Sequence, residues 1–211
     1  MPDDAERLSE SSEAEVDNAS DVEKADIELG KKIASHRDDP AVKAAGAAGK
    51  IGDQGPLYAI CAAVLITGVA SRNRRLAGSG VCMLAALGAA DLSKRLTKSL
   101  VSRTRPHVLL EEGRYEKEIG GSDDKPEQSF PSGHMAGSVA TARALSRNYP
   151  WVGATAGAAS IAVGISRIAK GAHWPLDVAG GAVLGLAAEA GTNALLKVAM
   201  RFVERRCCCL K

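Results

Sequence analysis

Five apolar runs rich in Ala, Gly, Leu and Val are the feature that most constrains the fold of this 211-residue chain. They occupy about residues 57–71, 76–92, 135–146, 151–166 and 176–199. The runs lack the alternation of apolar and polar residues that is typical of strands, and they are long enough for helices. We therefore predict an all-α fold, a helical bundle of about five core helices in one domain.

The length of these runs leaves two settings open for the bundle. A membrane-spanning helix needs roughly 20 apolar residues, whereas most of the runs have about 15–17. Their small residues suit close helix packing in a membrane and also suit a compact soluble bundle. Residues 1–6 show neither the basic start nor the apolar core of a signal peptide, so the internal runs would have to bring the chain to a membrane.

Composition divides the chain into three parts. We expect residues 1–55 to be an acidic, largely disordered tail and linker, in which residues 22–37 could form a short amphipathic helix. Residues 56–200 form the helical domain, and residues 201–211 form a basic tail with three adjacent cysteines. The cysteines do not suggest a disulfide framework. The three adjacent cysteines do not suggest a metal site either, because no histidine accompanies them.

Charge is distributed unevenly along the chain. Residues 1–39 hold 13 acidic and 5 basic residues, a net charge of −8, which leaves +10 for the remainder of a chain whose total is +2. A basic body suits nucleic acid, an anionic lipid or a phosphorylated substrate. The few aromatic residues are not interleaved with basic ones, and this argues against nucleic acid as a partner.

Three polar patches between the apolar runs contain what a phosphoryl-transfer site needs. They read Lys98-x6-Arg105-Pro106, Pro131-Ser132-Gly133-His134 and Ser166-Arg167-x5-His173-x3-Asp177. Phosphoryl transfer requires cations to hold the phosphate oxygens, a nucleophile, a proton donor and an acid that orients the nucleophile. Two of the chain's four histidines lie in these patches.

The first two patches predict a site for an anion. Lys98 and Arg105 lie seven residues apart, which would place both on one face of a helix that Pro106 ends. The backbone N–H groups of Ser132 and Gly133, at the start of a helix, could hold an anion.

The third patch predicts an oriented nucleophile. His173 and Asp177 lie four residues apart at the start of the fifth helix. A carboxylate that accepts a hydrogen bond from one imidazole nitrogen fixes the tautomer and leaves the other nitrogen free to attack phosphorus. Arg167, a few residues upstream, would neutralise the charge that develops on the phosphoryl group.

In order and spacing, the eleven motif residues resemble the signature of the type 2 phosphatidic acid phosphatase family, whose superfamily includes bacterial class A acid phosphatases and vanadium haloperoxidases. The resemblance covers roughly residues 56–200. It implies a phosphohistidine on His173, Asp177 as its partner and His134 as general acid. It also implies chemistry without a metal or cofactor, and a phosphate cradle formed by Lys98, Arg105, Ser132, Gly133 and Arg167.

Basic loops predict how the bundle would sit in a membrane. The segments 71–75, 147–150 and 201–206 would all lie on one side, which the positive-inside rule assigns to the cytoplasm. All three motifs then fall on the non-cytoplasmic face. The family commonly has six helices, so its usual first helix is missing or replaced in this chain.

The sequence therefore predicts an integral protein of the plasma or inner membrane, a phosphoric ester or diphosphate hydrolase acting on a lipid phosphate. Phosphatidic acid, phosphatidylglycerol phosphate and a polyprenyl diphosphate are the candidate substrates. Two alternatives stay open: a soluble acid phosphatase or vanadium haloperoxidase on the same scaffold, and a membrane protein that binds lipid without catalysis.

Overall fold

The computed structural model describes residues 16 and 18–208, the side chains of residues 48 and 203–208 excepted. Its helices are α1 (Asp21–Ala34), α2 (Pro40–Ala48), α3 (Gln54–Ala70), α4 (Arg74–Lys98), α5 (Pro106–Glu112), α6 (Gly133–Ser146), α7 (Pro150–Ala169) and α8 (Pro175–Cys208). Two short strands, β1 (Val101–Arg103) and β2 (Lys117–Ile119), pair antiparallel. Single 3₁₀ turns occupy Gly49–Gly52 and Lys125–Glu127.

The five predicted core helices are confirmed as α3, α4, α6, α7 and α8. The short helix α6 lies at the centre, where it packs against α4, α7 and α8. Small residues make this packing close: a Cβ added to Gly185 of α8 would lie 2.4 Å from the carbonyl oxygen of Ala136. Close approach of backbones through small residues is typical of helix contacts in membranes.

The chain is an integral membrane protein. Among the described residues, three segments are long and apolar enough to cross a membrane, namely α4, α7 and Pro175–Phe202 of α8, with mean hydropathies of 1.5, 1.4 and 1.2. A fourth span would combine Pro40–Gly52 with α3, across a bend of 52°. Central helix α6 is only about 21 Å long, shorter than a bilayer core of roughly 30 Å.

Large apolar side chains point outward from these helices. Ile66, Val183 and Leu195 are 66%, 67% and 71% exposed, whereas the interior of the bundle is built largely from small residues. We therefore expect the protein to stay with membranes through a high-salt wash and to require detergent for extraction. Fractionation followed by immunoblotting would check this, and recovery in the soluble fraction would contradict the spanning arrangement.

The loops that join α3 to α4 and α6 to α7 meet at one end of the bundle. Arg75 donates a hydrogen bond to the carbonyl oxygen of Asn148 and lies 5.0 Å from the ring centre of Tyr149. The side-chain amide of Asn148 donates to Ser79 Oγ at 2.9 Å. The basic loops 71–75 and 147–150 therefore lie on the same side, as the sequence predicts.

The N-terminal segment differs from the expected disordered tail and linker. The amphipathic helix predicted at residues 22–37 is confirmed as α1, and α2 lies within the expected linker. Glu23 and Asp26 are only 7% and 5% exposed, because both carboxylates find partners inside the protein. The prediction of disorder is therefore wrong from Asp21 onward, while residues 1–15 and 17 lie outside the described residues. The domain boundaries at residues 56 and 200 stay a prediction.

Candidate active site

The two cations of the first motif converge on one backbone carbonyl. Lys98 Nζ donates to the carbonyl oxygen of Gln128 at 2.5 Å, and Arg105 Nη2 approaches the same oxygen at 3.4 Å. The prediction that Lys98 and Arg105 share one helical face is wrong. Helix α4 ends at Lys98, strand β1 follows, and Pro106 begins α5 instead of ending α4. Proline suits the first helical position because it has no N–H group to leave unpaired.

The second motif forms the start of central helix α6, as predicted. Ser132 is the N-cap residue and is fully buried, and its side chain makes no capping hydrogen bond. Its backbone N–H is not free for an anion, however, because it donates to the carbonyl oxygen of Asp177 at 2.9 Å. Of Ser132, the hydroxyl is therefore the group available for a ligand. A Cβ on Gly133 would lie 2.6 Å from the Lys94 side chain, so a larger residue would displace that cation.

The third motif joins the end of α7 to the start of α8, and it places His173 in the loop between them. His173 is 3% exposed, and its Nδ1 lies 2.8 Å from the carbonyl oxygen of Ser129. A carbonyl oxygen only accepts, so Nδ1 carries the hydrogen and Nε2 keeps its lone pair. The tautomer is the one that a nucleophilic Nε2 requires.

Asp177 does not hold His173 directly, and that sequence-based prediction is wrong. Its Oδ2 lies 3.9 Å from His173 Nδ1, too far for a hydrogen bond. The buried carboxylate instead accepts from Ser129 Oγ at 2.5 Å and from the Trp174 backbone N–H at 2.8 Å. Asp177 therefore fixes Ser129, and the carbonyl oxygen of Ser129 orients His173.

The surroundings of His173 favour a neutral imidazole. Burial, together with the cations Arg105, Arg167 and Lys98, holds the pKa of His173 well below its usual value. All three cations belong to the predicted phosphate cradle, so the structure gathers them around this ring. A neutral imidazole among cations combines a free lone pair with charge that attracts an anion.

Three buried polar atoms in the described part of the chain have no hydrogen-bond partner: Arg105 Nε, Arg167 Nε and Ser132 Oγ. All three belong to the predicted phosphate cradle. An unsatisfied buried polar group costs about 1–3 kcal/mol, so three at one place require an explanation. An anion with several acceptor oxygens would satisfy them together.

Sequence reasoning missed Arg103, which is 3% exposed beneath the site. Its Nη1 donates to Asp177 at 2.9 Å, its Nη2 to Asp26 at 2.7 Å and its Nε to the Tyr115 hydroxyl at 3.2 Å. The second oxygen of Asp26 accepts from the Leu176 backbone N–H at 2.7 Å, at the start of α8. Helix α1 is thereby tied to the third motif.

Sequence reasoning also missed Asp53, the residue before α3. One of its carboxylate oxygens is hydrogen-bonded to Nε2 of His134. Both residues line a cavity of about 510 Å³, together with Asp91, Lys94 and Lys125. In the sequence, an aspartate ahead of a helix indicates only an ordinary N-cap, so no signal pointed to a partner for His134.

The comparisons with known proteins show the family and the fold. The family model described as the PAP2 superfamily matches residues 79–201, more than half of the chain. No curated protein sequence matches the chain at a significant level.

Two of the solved structures that match the chain illustrate the shared fold. One is LpxE from Aquifex aeolicus, with 21% identity and a TM-score of 0.56 over 79% of this chain and 93% of that one. The other is described as the first transmembrane PAP2 type phosphatidylglycerolphosphate phosphatase from Bacillus subtilis. It has 23% identity and a TM-score of 0.60 over 93% of this chain and 96% of that one.

Proposed function

Because the chain belongs to the PAP2 superfamily, we propose that it is a membrane phosphatase that hydrolyses a lipid phosphomonoester or diphosphate through a phosphohistidine. The observation that carries the proposal is the set of unpartnered buried atoms of Arg105, Arg167 and Ser132. A bound phosphate would accept from both guanidinium groups and from the hydroxyl. The neutral His173 beside these cations is the nucleophile.

In the first step, Nε2 of His173 attacks phosphorus and the bond from phosphorus to the lipid oxygen breaks. The departing oxygen takes a proton from His134, the general acid. Lys98, Arg105 and Arg167 stabilise the charge on the phosphoryl oxygens. In the second step, a water molecule that gives its proton to His134 attacks phosphorus, and the electron pair of the P–N bond returns to His173.

Asp177 acts in this scheme through its neighbours. It holds the hydroxyl of Ser129, whose carbonyl oxygen keeps the hydrogen of His173 on Nδ1. When His173 is phosphorylated and positively charged, the buried carboxylate at 3.9 Å stabilises that charge.

The lipid substrate and the side of the membrane are further parts of the proposal. Phosphatidic acid, phosphatidylglycerol phosphate and a polyprenyl diphosphate each present a phosphate at the end of apolar chains. The motifs lie at the end of the bundle opposite the basic loops 71–75 and 147–150. By the positive-inside rule, the active site faces the non-cytoplasmic side of the plasma or inner membrane.

The two alternatives fare differently. The three apolar segments of spanning length favour the membrane enzyme over a soluble acid phosphatase or haloperoxidase. A lipid-binding protein without catalysis would not need the His173 tautomer that Ser129 imposes. Phosphate release separates this last alternative from the proposal.

The test is phosphate release by the purified protein in detergent micelles from a panel of the three lipids, with glycerol phosphate as a substrate lacking apolar chains. We expect turnover of at least one lipid, inhibition by vanadate and no loss of activity with a chelator. Vanadate resembles phosphate and would fill the same cradle. A protein that releases no phosphate from any lipid would contradict the proposal.

A further inference from the structure

The chain preceding α3 approaches the second motif closely. The 3₁₀ turn Gly49–Gly52 packs against α6 and α7. A Cβ added to Gly52 would lie 3.0 Å from Val163, 3.2 Å from Ser138 and 3.6 Å from the His134 ring. A side chain at this position would crowd Val163 and Ser138, so glycine suits the close packing of the turn. The turn therefore brings the next residue, Asp53, within reach of the imidazole.

The carboxylate of Asp53 does not perform the usual task of its position. Asp53 is the N-cap of α3, yet its side chain makes no capping hydrogen bond and bonds to His134 instead. An N-cap side chain normally accepts from the first turn of its own helix, which stabilises the helix by about 1 kcal/mol. The aspartate gives up this interaction for one with a motif residue 81 positions away.

The other charges that face His134 oppose its protonation. Burial, followed by Arg167 from α7, lowers the pKa of His134, and Lys94 from α4 acts in the same direction. Asp53 is the carboxylate that acts in the opposite direction. The remaining charges of the cavity are Asp91, which is paired with Lys94, and Lys125. A general acid needs its proton at working pH, so His134 requires the support of a nearby carboxylate.

We propose that Asp53 is a positioning residue for His134, on which the proton transfers of the proposed phosphatase depend. Its carboxylate accepts the hydrogen on Nε2 and thereby fixes the ring and its tautomer. This leaves Nδ1 as the nitrogen that gives its proton to the departing lipid oxygen. The inference rests on the proposed function, but it adds a residue that lies outside the three motifs.

Protons and electrons balance in this arrangement. In the first step the P–O bond breaks, its electron pair stays on the lipid oxygen, and that oxygen takes the proton from Nδ1 of His134. In the second step the attacking water returns a proton to Nδ1. Asp53 stays a carboxylate throughout and accepts from Nε2–H in both states of the ring.

The test compares Asp53→Asn with Asp39→Asn, a matched control. Asp39 is the N-cap of α2 and also lacks a side-chain capping bond, but it is exposed, and its carboxylate is not bonded to the ring of a described histidine. With the lipid phosphate that the wild type hydrolyses, we expect Asp53→Asn to lower kcat/KM about tenfold or more at neutral pH. Asp39→Asn should leave kcat/KM unchanged, and Asp53→Glu should restore a large part of the loss.

The pH profile separates positioning from a structural role. Because Asp53 raises the pKa of His134, its removal should move the alkaline limb of kcat/KM to lower pH, by about one unit. Asp53→Glu should keep the limb near its wild-type position. A uniform loss of activity with an unmoved limb, or equal behaviour of Asp53→Asn and Asp39→Asn, would overturn the proposal.

Two further measurements cover the remaining outcomes. Stabilisation by vanadate against thermal unfolding reports whether Asp53→Asn retains a folded cradle. If Asp53→Asn does not, Asp53→Glu tests the proposal in its place: an alkaline limb of kcat/KM near the wild-type position supports the proposal, and a limb at clearly lower pH contradicts it. If the wild type hydrolyses no lipid phosphate, the proposed function fails on its own. The contact is then tested by NMR titration of histidine-labelled protein, in which Asp53→Asn should lower the pKa of His134, and an unchanged pKa would refute it.

Discussion

His173→Ala should reduce phosphate release from the lipid substrate by at least about 10³-fold. The side chain supplies the attacking lone pair, and no neighbouring group can replace it. The cations around the site would still bind the phosphate, so we expect kcat to fall far more than KM changes. The carbonyl oxygen of Ser129 would lose its hydrogen-bond donor, which costs about 1–3 kcal/mol of stability and leaves the fold intact.

The measurement combines steady-state phosphate release with trapping of the phosphoenzyme. Acid-labile phosphate should appear on the wild type and be missing on His173→Ala. His36→Ala is the matched control, because His36 is exposed and its ring is hydrogen-bonded to the hydroxyl of the neighbouring Ser35, away from the motifs. Substantial turnover by His173→Ala would require a different nucleophile, and the covalent mechanism would have to be given up.

The sequence predicts the five core helices and the residues of the three motifs, for a physical reason. Apolar runs identify buried or lipid-facing helices, and helix connectivity then brings alternate loops to the same end of a bundle. The lengths of α4 and α7 exceed the apolar runs because helices continue into polar ends such as Lys98 of α4 and Arg167 of α7. Hydrophobicity does not detect those ends.

The hydrogen bonds within the site could not be predicted from spacing alone. Lys98 and Arg105 suit one helical face by number, but a three-residue strand, β1, lies between them. So short a strand depends on its pairing with β2, which lies more than ten residues further along the chain. The segment after β2 supplies Ser129. Its carbonyl oxygen accepts the hydrogen bond from His173 that the spacing of the motif had suggested for Asp177.

The sequence predicts the N-terminal helix α1, but its composition does not show that the helix packs against the domain. Acidic, polar segments usually remain disordered, because they cannot bury enough apolar surface to offset the loss of chain entropy. In this chain two of the acidic residues, Glu23 and Asp26, are themselves buried. Their partners include Arg103, which lies 77 residues beyond Asp26. A composition count does not detect a partner at that distance.

Arg103→Met should be the most destabilising substitution outside the motifs, with an expected loss of about 3–5 kcal/mol in the free energy of unfolding. The guanidinium neutralises two buried carboxylates, Asp177 and Asp26, and the apolar methionine would leave both without their counterion. Because Asp177 also fixes Ser129, activity should fall together with stability. Arg103→Lys should recover only part of the loss, since one ammonium group cannot reproduce the fork that reaches three partners.

Thermal and denaturant unfolding in detergent micelles would measure the effect. Arg37→Met is the matched control, because Arg37 also joins the N-terminal segment to the domain, through an ion pair with Glu111 at 3.0 Å. That pair is partly exposed, with side chains 32% and 55% accessible, so its loss should cost less than about 1 kcal/mol. Equal stability of Arg103→Met and Arg37→Met would show that the buried carboxylates do not depend on Arg103.

A double variant tests the cause of the destabilisation. Asp26→Asn removes one of the two carboxylates that Arg103→Met leaves uncompensated, while the amide oxygen can still accept from the Leu176 backbone N–H. Arg103→Met combined with Asp26→Asn should therefore be more stable than Arg103→Met alone, by about 1 kcal/mol or more. If the two losses simply add, packing against Trp174, whose ring lies 5.4 Å from the guanidinium, and not charge would be the role of Arg103.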